Sequence, residues 1–352
     1  MEKPLELDYA PLEPLEIRIL VLHQGSTTDT VECTLRHVLR DQEQYHALSY
    51  EWGEEVRFEP GIIVDDLPVQ IRKNLFEALK EVRKPSEDLQ LWVDAICINQ
   101  ADLEEKNSQV AMMGETFEKA AGVIAWVGVA RDNSDVAMDW MANTSTLSDK
   151  LNGVDADGLE KKAIAALCNR TYWRRVWIIQ ELYLSQSYDV RCGTKSIPAD
   201  VFEESLAAMN GRKYEWTDMD HNPADHLGRS RLFKQGAPQF NTLNRWLKMC
   251  ILGKFQCTRE QDMVFSLLGI AYDCRNGSIS IEVDYRKSPR DIYLEVLREG
   301  RDDWCRGLGG TVTKLAGLMN LEMDESLKDS VFGILGKKIG PDGLFISSGA
   351  EI

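Results

Sequence analysis

The sequence predicts an α/β protein: a doubly wound, mainly parallel sheet that carries N-terminal β-hairpins and is followed by a mostly helical C-terminal region. Three observations lead there. Between Tyr45 and Gly128, apolar runs of strand length alternate with amphipathic stretches, the pattern of parallel strands joined by crossover helices. Two pairs of short apolar runs flank turn signals near the N-terminus. Beyond residue 240, helical periodicity dominates and helix-start signals recur.

In chain order, Glu16 to Gln24 and Asp29 to Val38 read as strands around a Gly25-Ser26 turn. Tyr45 to Gly53 is a short strand running into a loop, the position where parallel sheets bind ligands. Gly61 to Ile71 reads as a second hairpin turning at Asp65-Asp66. Leu75, Ala78, Leu79 and Val82 then recur at helical spacing. Leu89 to Gln100 reads as a buried strand that changes character at Asp94. The following 20 residues read as one helix with Val110, Met112, Met113 and Phe117 inward and acidic residues in its first turn. Gly122 to Gly128 is the next strand.

Residues 129–160 are polar and rich in Gly, Asn and Asp, an insertion with one helix around Val136 to Met141. Tyr172 to Leu184 reads as a single helix, apolar on almost every side and therefore buried. Tyr188 to Pro198 is a strand and 199–210 a helix, so the first domain spans residues 1–210. Residues 211–239 read as a loop or linker, and 240–352 as a helical C-terminal region. Within it Thr258 with Gln261, and Ser288-Pro289 with Asp291, are capping signals. The turn-rich end from Lys337 is a short hairpin or a tail.

The chain has 352 residues, enough for a substantial core without disulfide or metal staples. Its net charge is −16, which disfavours nucleic acid and anionic membrane surfaces. Eight scattered cysteines without zinc or disulfide-scaffold spacing suit reduced intracellular thiols. The acidic, proline-bearing start does not have the pattern of a signal peptide. The apolar stretch at 120–130 is too short to span a bilayer. A cytoplasmic protein is expected, with no nucleic-acid partner, membrane span or metal; His221 and His226 lack a third ligand and read as loop residues.

The residue demanding explanation is Glu181, a carboxylate in an apolar helix. On a continuous helix Arg174, Trp177 or Ile178, and Glu181 share one face. They form either a structural ion pair under a tryptophan, or a pocket in which Trp177 desolvates Glu181 and raises its pKa. Asp94, Asn99 and Gln100, at the end of a strand, either cap the next helix or line the same pocket.

Five blocks, "YHALSYEWG", "LWVDAICINQADLEEKNSQVAMMGETFEKA", "VIAWVG", "YWRRVWIIQEL" and "CTREQDMVFSLLGIA", together resemble the HET (heterokaryon incompatibility) domain of fungal proteins. The C-terminal region would complete that module. The family implies a role in non-self recognition and programmed cell death, and it remotely resembles TIR domains, so the expected sheet is TIR-like. The W-x-x-x-E-L pattern of enzymatic TIR domains is met by Trp177, Glu181 and Leu182. The resemblance implies Glu181 as the catalytic group for cleaving NAD at the nicotinamide ribosyl bond, with NAD as substrate and no prosthetic group. A carboxylate can stabilise the oxocarbenium-like ribosyl cation of that reaction. Trp52 and Trp177 would be aromatic walls, Arg174 a neighbour of Glu181, and Ser49, Tyr50 and Gly53 the rim. The implied partners are copies of itself on activation and an NLR-type or allelic recognition protein. The alternative is a non-catalytic signalling module in which Glu181 is structural.

Overall fold

The computed structural model describes residues 7–55, 60–143, 158–210, 224, 238–306 and 309–346. Nine strands form one mixed sheet: β1 (Glu16–Leu22), β2 (Glu32–Leu39), β3 (His46–Tyr50), β4 (Gly61–Val64), β5 (Leu67–Gln70), β6 (Leu89–Trp92), β7 (Gly122–Trp126), β8 (Tyr188–Cys192) and β9 (Lys195–Pro198), in the order β5-β4-β2-β1-β6-β3-β7-β8-β9. The centre, β6-β3-β7-β8, is parallel. The expectation of a mainly parallel sheet holds in that centre, and one further parallel pair, β2–β4, lies among the hairpin strands. The predicted hairpins join the same sheet, so four of its eight pairings are antiparallel.

Buried strands need apolar residues on both faces when helices cover both. Accordingly every residue of β7 is buried, as are Ala47 to Tyr50 of β3. The β4–β5 hairpin turns at Asp65 and Asp66, both at positive φ (50° and 64°), the backbone of a tight hairpin turn. Helix α1 (Lys73–Val82) buries Leu75, Ala78, Leu79 and Val82, the stripe that the periodicity predicts.

Four predicted elements are divided. β6 ends at Trp92, and Asp94 opens a one-turn helix, α2 (Asp94–Cys97), because its carboxylate accepts the Ala95 amide and folds the chain back. The predicted 20-residue helix is two, α3 (Leu103–Ala111) and α4 (Met113–Lys119), broken at Met112, which is only partly buried. The strand predicted over 188–198 is the β8–β9 hairpin, turned by Gly193 at φ +54°. The predicted helix from Tyr172 is a 3-10 turn (Thr171–Arg174) followed by extended Arg175 and then α7 (Trp177–Leu184).

Between them lie α5 (Ser134–Asn143) and α6 (Leu159–Cys168), which pack on each other through buried Met138, Met141 and Ile164. Thus α5 covers the helix expected within the 129–160 insertion, whose residues 144–157 lie outside the described residues. Helix α8 (Ala199–Asn210) follows β9. The 211–237 part of the expected linker, with His221 and His226, also lies outside them, apart from Ala224.

The rest is helical: α9 (Leu243–Gly253), α10 (Asp262–Leu268), α11 (Tyr272–Arg275), α12 (Pro289–Glu299), α13 (Arg301–Arg306), α14 (Gly309–Leu318) and α15 (Glu325–Leu335). Ser288 and Asp291 form the predicted capping box. Thr258 and Gln261 do not: Gln261 donates to the Lys287 carbonyl instead and leaves α10 without a side-chain cap. A short antiparallel bridge, Ile339 with Phe345, closes the described C-terminal part.

Helix α7 is wedged between α4 and α10 by small residues. Oriented to satisfy both ends, the Gln180 amide donates to the Ser266 carbonyl (3.2 Å) and accepts from the Gly114 amide (3.0 Å). At Gly269 an added Cβ would stand 2.6 Å from the terminal amide of Gln180 and 3.5 Å from the Gly114 Cα. Gly269→Ala should therefore cost about 1–3 kcal/mol in urea unfolding. Gly317→Ala, on a helix with nothing within 4 Å of the added carbon, should be neutral or stabilising by up to about 1 kcal/mol; equal effects at the two positions would contradict the wedge.

Candidate functional site

The carboxyl ends of β3, β6 and β7 lie along one edge of the parallel centre, where the connections leave the sheet and ligands commonly bind. β3 delivers Ser49 and Tyr50, and the chain after β6 delivers Asp94. Helix α7 brings Glu181 to them, 2% exposed. Ser49 Oγ donates to Glu181 Oε2. The Ser49 hydroxyl lies 2.7 Å from that of Tyr172; since Ser49 gives its proton to Glu181, Tyr172 is the donor in this pair.

The second partner of Glu181 is Arg175, whose Nη2 and Nη1 lie 3.3 and 3.4 Å from Oε1 and Oε2. This corrects the expected pairing with Arg174. A continuous helix would align residues 174 and 181, but the extended backbone at Arg175 (φ −66°, ψ 129°) breaks the phase. Arg174 offers its carbonyl to the Gln256 amide (2.6 Å), while the Val176 amide donates to the Gln256 carbonyl (2.9 Å). The C-terminal region thus holds the extended link in place.

Asp94 accepts from Trp52 Nε1 (2.9 Å), from the Ala95 amide (2.8 Å) and from the Tyr50 hydroxyl. Burial pushes the Glu181 carboxyl up; Arg175 and Ser49 oppose the shift and the Asp94 charge adds to it. Burial likewise raises Asp94, against Arg175 and its hydrogen-bond donors. For Arg175 burial acts downward, but Glu181 and Asp94 more than offset it, so the guanidinium stays charged. One cation therefore acts on two carboxylates, and the two carboxyls titrate as a coupled pair.

The other expected residues are distributed around this centre. Gly53 (φ +74°) gives its carbonyl to Arg72, whose guanidinium lies 5.7 Å from the Trp52 ring centroid. Asn99 accepts the Ala101 amide and Gln100 donates to the Asp94 carbonyl, so both brace the connection from α2 to α3; the cap of α3 is Asp102. Trp177 is partly buried and donates to Asp262.

Beside the cluster is a cleft of about 170 Å³ lined by Glu51, Gly53, Asn74, Trp126, Thr171 and Tyr172 among others. Glu181 is not in its lining and is reached through Ser49 and Tyr172. Asn74 shapes the wall, donating to the Glu51 carbonyl and accepting from Trp126 Nε1 (3.0 Å). Arg170 holds the far lip by donating to the carbonyls of Val127, Val129 and Arg131. Sequence reasoning missed Asn74, Tyr172, Arg175 and Asp262. The first and last carry no local signal, whereas Tyr172 and Arg175 lie inside the stretch already singled out. Among the described residues no cluster suits a metal ion, and no helix is long and apolar enough to cross a membrane.

Residues 45–181 match the family model described as Heterokaryon incompatibility protein (HET). The match begins on Tyr45 and ends on Glu181, so it takes in the strand ends and the carboxylate just described. Over residues 45–181 the chain is thus similar to HET-domain proteins. A curated relative is Heterokaryon incompatibility protein 6, OR allele, of Neurospora crassa, 28% identical over 341 aligned residues covering 77% of this chain and 49% of that protein. The chain thus spans about half the length of the curated relative it matches. No solved structure matches.

Removing Arg175 leaves Glu181 buried without its cation, so Arg175→Met should cost about 3–5 kcal/mol near neutral pH. The folded state binds the Glu181 proton more tightly than the unfolded chain does. Its contribution to stability is therefore complete at low pH and is lost as pH rises from the ordinary 4.5 through the raised value. Urea midpoints across this range should show a flatter decline in Glu181→Gln than in wild type and a steeper one in Arg175→Met; three parallel profiles would refute the charge coupling.

Proposed function

We propose that the protein is an effector of heterokaryon incompatibility and of the cell death it triggers, and that its HET domain cleaves NAD at the nicotinamide ribosyl bond when self-association activates it. The observation that carries this reading is the charge count at the strand ends: Glu181 and Asp94 share Arg175. Burial pushes both carboxyls up, and once both are ionised the site carries one negative charge in excess, which favours a cationic transition state. As the ribosyl C1′–N bond breaks, its electron pair passes to the nicotinamide nitrogen and the ribose carries the positive charge. Water then supplies the oxygen at C1′, and its proton leaves to a carboxylate or to solvent.

In this reading Glu181 stabilises the ribosyl cation, Ser49 and Tyr50 orient the two carboxylates, and Trp52 and Gly53 stand at the rim. Residues 1–210 would be the TIR-like catalytic unit, with 240–352 completing it; the pairing of Gln256 with the Arg174–Val176 link supports that division. The 170 Å³ cleft suits a nicotinamide-sized group and lies below the usual range for whole ligands, roughly 300–1,000 Å³. A dinucleotide thus requires opening, the step assigned to self-association or to an allelic or NLR-type partner in the cytoplasm.

A second reading rests on a different observation. Glu181 is fully sequestered, with its oxygens already bonded to Arg175 and Ser49, as in a structural pair serving a non-catalytic interaction module. Nicotinamide release from NAD by concentrated protein separates the two. Wild type should release it, and Glu181→Gln, at matched thermal stability, should lose about 100-fold or more. No release by assembled wild type would establish the second reading.

A further inference from the structure

Lys106 and Arg259 place their cations over one aromatic ring, that of Tyr285, at 4.8 and 5.3 Å from its centroid. They come from distant parts of the chain, Lys106 from α3 and Arg259 from the segment leading into α10. Among the described residues neither has a carboxylate oxygen within the 4.0 Å of an ion pair. Two like charges on one ring repel each other, and Lys106 is only partly exposed. Its pKa is lowered, first by burial and then by Arg259. The carboxylate nearest in bonding terms, Asp262, lies at the other end of the same residue, accepting from the Tyr285 hydroxyl (2.6 Å) and from Trp177. Asp262 therefore acts on both cations at longer range, and neither has a direct ion-pair partner over the ring.

A chain of net charge −16 opposes anion approach at long range, which makes a local unpaired basic pair informative. Arginine offers a planar fork of donors and lysine a compact point charge, a combination suited to phosphate oxygens. Through Asp262 and Trp177 the pair adjoins the first turn of α7, the helix of Glu181. On its other side Lys106 feels the Asp94 charge.

We infer that Lys106 and Arg259 form a binding site for the diphosphate of a nucleotide ligand, with the Tyr285 ring as the platform between them. The site lies outside the 170 Å³ cleft and belongs to the contact between α3 and the C-terminal region. Its link to NAD rests on the proposed function, whereas its capacity to bind a diphosphate does not.

The test is binding without turnover, using inorganic phosphate, inorganic pyrophosphate and ADP-ribose, read by calorimetry and by shift in Tm. Pyrophosphate and ADP-ribose should bind wild type, more weakly as salt is raised, and better than inorganic phosphate. Arg259→Gln, at an exposed position, and Lys106→Gln should each weaken both by about 10-fold or more. Lys248→Gln is the control for loss of charge, since it lies in a separate groove lined by Arg245, Lys248 and Arg306, and it should bind as wild type does. Equal affinity in all four proteins, or no binding of pyrophosphate and ADP-ribose to wild type, overturns the site. Diphosphate binding without nicotinamide release keeps the site and removes the NAD-cleaving reading. Nicotinamide release whose KM is unchanged in both variants keeps the reading and removes the site.

Discussion

One guanidinium paired with buried Glu181 and acting at longer range on partly buried Asp94 is the constraint around which the centre of this protein is arranged. A single charge in such a place would be prohibitively costly, so every element that delivers a member of the trio is fixed by others. Ser49 and Tyr50 are held by the buried stretch Ala47 to Tyr50 of β3 between β6 and β7. Asp94 is held by the turn into α2 and by Trp52. Arg175 reaches Glu181 only because the chain is extended between a 3-10 turn and α7, and the amide and carbonyl of Gln256 pair with that extended link. The backbone break and the ion pair are two aspects of one arrangement, and both depend on the C-terminal region.

Local chemistry in the sequence determined much of this. The Asp65-Asp66 hairpin, the apolar stripe of α1 and the Ser288 capping box each need only neighbours within a few residues, and each is present. The single helix expected over 172–184 is the correction that matters most at the site, since a 3-10 turn winds three residues per turn and an extended residue resets the phase. That shift moved the partner of Glu181 from Arg174 to Arg175. Asn99 and Gln100 were polar for a local reason, bracing the connection after α2, and did not join the carboxylates. Asn74 and Asp262 were invisible because their roles are set by residues far away in sequence, Trp126 and Trp177. The sheet is mixed rather than mainly parallel because the expected hairpins pair into it, and apolar alternation shows that a strand is buried but not which neighbour it pairs with.

Burial divides the labour between Glu181 and Arg175. The carboxylate is 2% exposed and sits within a helix clamped by Gly114, Gly269 and Gln180, whereas the Arg175 side chain is 17% exposed and sits on a short extended link. If the pair opens, Arg175 is the partner with room to move. Its departure would leave Glu181 and Asp94 uncompensated, which is costly in an empty site and favourable in one that holds a cation. The ion pair that makes Glu181 look structural in the closed form is thus compatible with a catalytic role in an open one. The discriminating property is whether a positively charged group can take the place of the guanidinium.

The same reasoning extends along the start of α7. On one side of Trp177 lie two carboxylates near a single guanidinium; on the other, reached through Asp262, lie Lys106 and Arg259 over Tyr285 without a direct ion-pair partner. The first end pairs two carboxylates with one cation, and the second holds two cations, so the two differ in sign. An oxidised nicotinamide dinucleotide has the matching polarity, with a cationic ring at one end and an anionic diphosphate further along. A simple anion such as pyrophosphate gains only the basic end against the repulsion of a chain at −16, and a simple cation would meet Arg175. A ligand carrying both charges relieves both ends together, so its binding would favour the open arrangement over the closed one by the difference it makes at each.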